Sequence, residues 1–264
     1  MGRVLGCVCA AILLLAGCQG SNVQFGEDSI INKFLNTPQA NPVELARDPY
    51  DPDARYRGTV WLTMDLLEPD ERILDIFRDN LRDEYASVRA AAARGLGIHG
   101  VAADGALLAE ALDDPEPIVR RTAAIGLQRI HEPAATDRLL ELIVPTDEPD
   151  QNVRVEAALA LGQYAQSDVV MGLVASLRSE TEQSLAVHAA VVRSLELLTG
   201  QDFGLDFIAW QRWIDESDSW FADQQTYVYP VFTRSQAWWE YLPWIPQPPT
   251  ETVSTPIGLT RTPQ

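Results

Sequence analysis

The chain has 264 residues, 46% of them hydrophobic and 22% charged, which suits one or two folded domains and argues against wholesale disorder. Its 38 acidic residues against 20 Lys and Arg give a net charge of −18, a field that repels nucleic acid phosphates and anionic membrane surfaces. A nucleic-acid partner is therefore not expected, and the acidity reads first as a solvated, soluble surface.

Residues 1–18, MGRVLGCVCAAILLLAGC, place one Arg ahead of an apolar run that ends in small residues, which is the layout of a signal peptide. The run from Val4 to Gly17 is too short for a stable membrane-spanning helix. Its end, Leu15-Ala16-Gly17-Cys18, resembles the lipobox of bacterial lipoproteins. That resemblance implies cleavage after residue 17 and acylation of Cys18 with chains such as palmitate, and so a membrane contact through lipid. Gln19 is not the Asp that tends to mark inner-membrane retention, so the same resemblance implies an outer-membrane anchor facing the periplasm. Cys7 and Cys9 fall inside the removed segment, leaving Cys18 without a disulfide partner, so packing alone must stabilise the fold.

From residue 18 to 46 the composition turns to Asn, Gln, Ser and Pro and reads as a polar tether. Then a unit typified by Asp83–Gly97, DEYASVRAAAARGLG, starts to recur. Aligning its basic residue gives Arg57, Arg89, Arg120, Arg154 and His188, at steps of 32, 31, 34 and 34. Six positions before each stands an acid: Asp51, Asp83, Asp114, Glu148 and Glu182. Small apolar residues follow at plus three, plus four and plus seven, as in Ala123, Ala124 and Leu127, and lay a narrow stripe on one helix face. Second helices are predicted between the stripes, over 70–81, 103–112, 134–143 and 167–177. Each unit is then a helical hairpin too small to bury its own apolar faces, and stacking supplies the core.

The pattern acid-x5-Arg-x2-Ala-Ala-x2-Leu-Gly over residues 47–203 resembles HEAT repeats in the short form of phycobilin-lyase-like proteins. The resemblance implies an all-α fold, a right-handed solenoid of about five stacked hairpins, acting as a protein-binding scaffold. The recurrence of Asp83, Arg89, Asp114, Arg120, Glu148 and Arg154 argues against catalysis, which needs a single site. It favours helix capping and a ladder of ion pairs between repeats.

Gly95 to Gly100 satisfies GxGxxG, but it closes an Ala-rich helix instead of opening one after a strand, so these glycines read as helix C-caps. His99, His131 and His188 lie in different units, so neither a metal nor a cofactor is expected. After the turn Thr199–Gly204 a short helix is predicted over 205–213, an ending that resembles that of a group of bacterial HEAT-repeat lipoproteins. Six of seven Trp follow position 209. Trp210, Trp213, Trp220, Trp238, Trp239, Tyr241 and Trp244 within 204–245 read either as a cap on the open end of the stack or as a platform for a protein or glycan. Residues 246–264, rich in Pro and Thr, are expected to be disordered or extended. The sequence as a whole predicts an exported, lipid-anchored, non-catalytic scaffold for a protein partner in the cell envelope, with glycan binding as the alternative and a lyase-like enzyme by fold analogy as the weaker one.

Overall fold

A computed structural model of the protein describes residues 41–64, 70–178, 184–232 and 251–259. The expected signal peptide, Cys18, Glu182, Trp238, Trp239, Tyr241 and Trp244 lie outside the described residues. Among the described residues eleven α-helices follow one another: α1 (Pro42–Ala46), α2 (Pro52–Met64), α3 (Glu71–Asn80), α4 (Ala86–His99), α5 (Gly105–Glu110), α6 (Pro117–Leu127), α7 (Thr136–Leu142), α8 (Gln151–Leu161), α9 (Ser167–Ser176), α10 (Leu185–Thr199) and α11 (Phe207–Glu216). Short 3₁₀ turns lead into and out of α5 and lead into α7. Two strands, β1 (Tyr229–Phe232) and β2 (Glu251–Ser254), pair antiparallel with Tyr229 opposite Ser254 and Phe232 opposite Glu251.

The long helices α2, α4, α6, α8 and α10 pack each on the next, and the short helices α3, α5, α7, α9 and α11 form a second layer against them. This is an all-α solenoid of helical repeats, with the two short strands as an addition. The stripe of small side chains faces the seam between units: Ala92, Ala93, Ala123, Ala124, Ala157 and Ala158 have no exposed surface. Removing Cβ bulk lets the backbones approach. At the crossing of α4 and α6, a Cβ on Gly97 would sit 2.6 Å from the Gly126 Cα. Gly95 faces the Phe77 ring at the same 2.6 Å. The glycines of the GxGxxG string thus differ from the C-cap expectation: Gly95 and Gly97 lie inside α4 as close-approach positions, and only Gly100 stands at the cap. A true left-handed cap closes α10, where Gly200 has φ +70.

A second device fastens successive units through the last carbonyls of the long helices, which have no partner inside their own helix. On three of them a side chain 36 residues further on reaches back to such a carbonyl. His99 Nε2 meets the Thr63 carbonyl at 2.9 Å, Gln163 donates to Leu127, and Ser194 donates to Ala158 at 2.7 Å. At the N-terminal end, residues 42–46 depart from the expected tether. Asn41 caps α1 by accepting from the Val43 N–H, and Ala46 is fully buried against the stack, where Asn80 donates to its carbonyl. Helix α1 thereby packs on α2 at the first of the described repeats.

Candidate functional site: an ion-pair ladder and a strap

Three arginines on the long helices grip their own unit's loop in the same way, and two of them also close on an acid of the next unit. Arg89 donates from Nη1 to the Asp83 and Glu84 carbonyls and closes on Asp114 of the next unit, Nε to Oδ2 at 2.6 Å and Nη2 to Oδ1 at 2.8 Å. Arg120 grips the Asp114 and Pro115 carbonyls and closes on Glu148 at 2.6 and 2.9 Å. Arg154 grips the Glu148 and Pro149 carbonyls, and among the described residues its Nε finds no acceptor. The six-residue spacing follows from this geometry, because each Arg must reach back to the carbonyl of its own unit's acid. The acid's side chain serves the preceding unit instead.

Each acid also orders its own loop by accepting from the N–H two residues on: Asp83 from Tyr85, Asp114 from Glu116 and Glu148 from Asp150. Asp114 and Glu148 therefore stand two positions before the N-caps Glu116 and Asp150, not at the caps themselves. The bonds are charge-assisted and bidentate, the strong class of hydrogen bond. Burial alone would raise the Asp114 carboxyl, but the Arg89 guanidinium and the Glu116 N–H outweigh it and hold the carboxyl below its ordinary value. The Glu148 carboxylate lifts Arg120 above its ordinary value in return.

The first rung is not the one counted from sequence. Arg57 is exposed and lies 3.8 Å from Asp51, whereas Arg55 closes on Asp83 at 2.6 Å and grips the Asp48 carbonyl. The step from Arg55 to Arg89 is 34, and it aligns buried Leu62 with buried Leu96. At the other end His188 replaces Arg, and its buried Nε2 has no partner among the described residues. The short-helix layer has a rung of its own, Arg78 Nε to Asp104 at 2.7 Å, with Asp104 almost wholly buried.

The aromatic ending divides. Trp210 is fully buried, donates from Nε1 to the Gly204 carbonyl at 2.9 Å and meets Phe203 edge-on. Trp213 and Trp220 pack against the same core, and Trp220 Nε1 bonds the Ile214 carbonyl. These three close the end of the stack. A platform built on Trp210 is ruled out, because a ring with no exposed surface meets no ligand.

Beyond α11 the chain turns back across the long helices. Gln225 N–H donates to the Leu197 carbonyl on α10 at 2.8 Å, and the Tyr227 hydroxyl donates to the Leu159 carbonyl on α8 at 3.2 Å. The Tyr229 ring lies 5.2 Å from the Arg129 guanidinium, just past α6. After β2, Ile257 exchanges backbone bonds with Arg129 and His131, both at 2.8 Å. Residues 225–232 and 251–259 thus form a strap over the last three units, where the composition of 246–264 suggested a disordered tail. Backbone bonding to carbonyls at helix ends holds it, and the sequence pattern does not display such bonding. Burial pushes the Tyr227 phenol above its ordinary value and the Arg129 guanidinium below, with Arg94 adding like-charge repulsion to the latter.

Among solved structures, the designed armadillo repeat protein YIII(Dq)4CqI is similar to this chain, with 14% identity, a TM-score of 0.48 and coverage of 69% of this chain and 94% of that one. No curated protein matches the chain. The family model of HEAT repeats matches residues 105–196, which run from the start of α5 into α10 and hold the Arg120–Glu148 rung. A hairpin stack pinned at equivalent positions, with that match at its centre, makes this chain a HEAT-like repeat protein.

Proposed function

We propose that this chain is a lipid-anchored scaffold of the bacterial cell envelope that binds another protein through its repeat stack and carries out no chemistry itself. The observation that carries the reading is the stack: three equivalent inter-repeat rungs, Arg55–Asp83, Arg89–Asp114 and Arg120–Glu148, spend recurring acids and arginines on rigidity, and repeat arrays of this kind present extended binding surfaces. The anchor rests on Leu15-Ala16-Gly17-Cys18 at the end of an apolar run, and the outer-membrane address on Gln19. Several acyl chains hold a protein to a bilayer where one chain binds only reversibly.

Crosslinking in intact cells followed by purification of the full-length protein tests the scaffold. A single protein recovered in stoichiometric amount supports it, and turnover of a small molecule by the purified chain refutes it. Metabolic labelling with an alkyne fatty acid tests the anchor, with label expected on the native chain and lost in Cys18→Ala.

A further inference from the structure

The strap touches each of the last three units at the same end of its long helix. Gln225 donates to the Leu197 carbonyl in the last turn of α10, and the Tyr227 hydroxyl donates to the Leu159 carbonyl in the last turn of α8. Ile257 holds Arg129 and His131, just past α6, by two backbone bonds of 2.8 Å. The ladder between β1 and β2 joins these points, because Tyr229 pairs with Ser254. A pull on residue 225 therefore reaches residue 257 through two short runs of chain and one set of strand bonds. The seat on α10 is close: a Cβ on Gly200 would lie 2.6 Å from the Asp223 carbonyl oxygen, and Tyr227 is 7% exposed.

The fastenings within the repeats reach from one unit to the next. The Arg120–Glu148 rung crosses from α6 to the start of α8, while Gln163 bonds back to Leu127 and Ser194 back to Ala158. A stack held by such bonds alone opens stepwise, since each unit feels its neighbours and nothing further. The strap makes a connection of another kind. It ties the third unit (α6 and α7) to the fifth (α10 and α11) across the fourth, at the helix ends opposite to the rung.

We propose that the strap is a clasp that makes the last three units open together. Neither α6 nor α10 lifts from α8 until the strap leaves the carbonyls that hold it. The clasp acts in parallel with the Arg120–Glu148 rung, so loss of the rung loosens the junction of α6 and α8 and loss of both frees it. This property belongs to the fold and stands whether or not the stack binds a protein.

Native-state hydrogen exchange of the full chain in low urea tests the clasp. It is read at Ala123 and Ala124 in α6, Ala157 and Ala158 in α8, and Val191 and Leu195 in α10, all without exposed surface. In the native chain these six amides are expected to share one opening constant and one urea dependence. Ile257→Pro deletes the N–H that serves the Arg129 carbonyl, and exchange in α6 is expected to rise about tenfold over that in α8 and α10. Gln225→Pro deletes the donor to Leu197 and is expected to do the same to α10. Tyr227→Phe removes one hydroxyl, parts α6 from α10 by a smaller factor, and keeps the test readable if a proline variant fails to fold. Arg55→Ala, at the junction of α2 and α4, is expected to speed exchange in α2 and leave the sharing among the six amides unchanged. Separate opening of α6 and α10 in the native chain overturns the proposal. So does a rise of equal size at all six amides in the variants of the strap, which marks a general loss of stability and not the release of a clasp. Loss of the sharing in Arg55→Ala overturns it as well, by tracing the sharing to the ladder.

Discussion

Arg120→Ala removes the central rung of the ladder. It takes away two bonds to Glu148 and two to the loop carbonyls of Asp114 and Pro115. The Glu148 side chain is 1% exposed and, among the described residues, keeps only the Asp150 N–H as a donor. A carboxylate stranded in this way is the costly case, because breaking one side of a buried pair costs about 3–5 kcal/mol. At roughly 2–4 °C per kcal/mol for a chain of this size, the melting temperature should fall by about 6–20 °C. Arg57→Ala, removing an exposed side chain 3.8 Å from its acid, should cost under about 0.5 kcal/mol. Because repeat arrays couple only through neighbouring interfaces, losing the middle rung should also split a single transition into two, seen by calorimetry and by hydrogen exchange on either side of α6. A melt for Arg120→Ala within about 1 kcal/mol of the native chain would mean that the ladder is ornamental.

Gly97→Ala drives a methyl group to 2.6 Å from the Gly126 Cα, against backbone that cannot step aside, and should cost about 1–3 kcal/mol by urea melt; a neutral result contradicts the close crossing. Trp210→Ala empties the cap and should cost about 3–5 kcal/mol, with hydrogen exchange in α10 and α11 rising first. The Tyr227 phenol is raised on folding, so its contribution is fully present below its unfolded value near about 10 and is lost as pH rises beyond it. Limited proteolysis of the strap should therefore speed up in strong alkali, and Tyr227→Phe should blunt that response. Asp114 has the opposite sign: its carboxyl is depressed on folding, so its contribution is present above the unfolded carboxylate value and is lost as pH falls through the folded one. Asp114→Asn should flatten that part of an acid melt.

The ladder was legible because its chemistry repeats. Four helices place Arg at one position, and the acids of the next units fall 25 or 28 residues ahead. The first rung was misnumbered because Asp51 stands six before Arg57, although aligning Gly58 and Leu62 with Ala92 and Leu96 points to Arg55. Trp210, by contrast, has no signature that separates a buried ring from a binding one. The strap was hidden for a different reason. Its bonds run from its own backbone and one phenol to helix-end carbonyls far away in sequence, and Pro230 interrupts the strand pattern. Local periodicity carries no trace of such contacts.

The side-chain bonds that reach furthest along the chain lie between units. Arginines reach forward by 25 or 28 residues, and His99, Gln163 and Ser194 reach back by 36. The heritable module is accordingly the junction, not the hairpin. Excising residues 114–147, one period of 34, brings Glu148 to the place of Asp114, where Arg89 meets an acid already shaped to receive a guanidinium. Unequal recombination can lengthen or shorten such an array without inventing a contact, so its reach is free to drift while α1 and Trp210 keep the two ends closed.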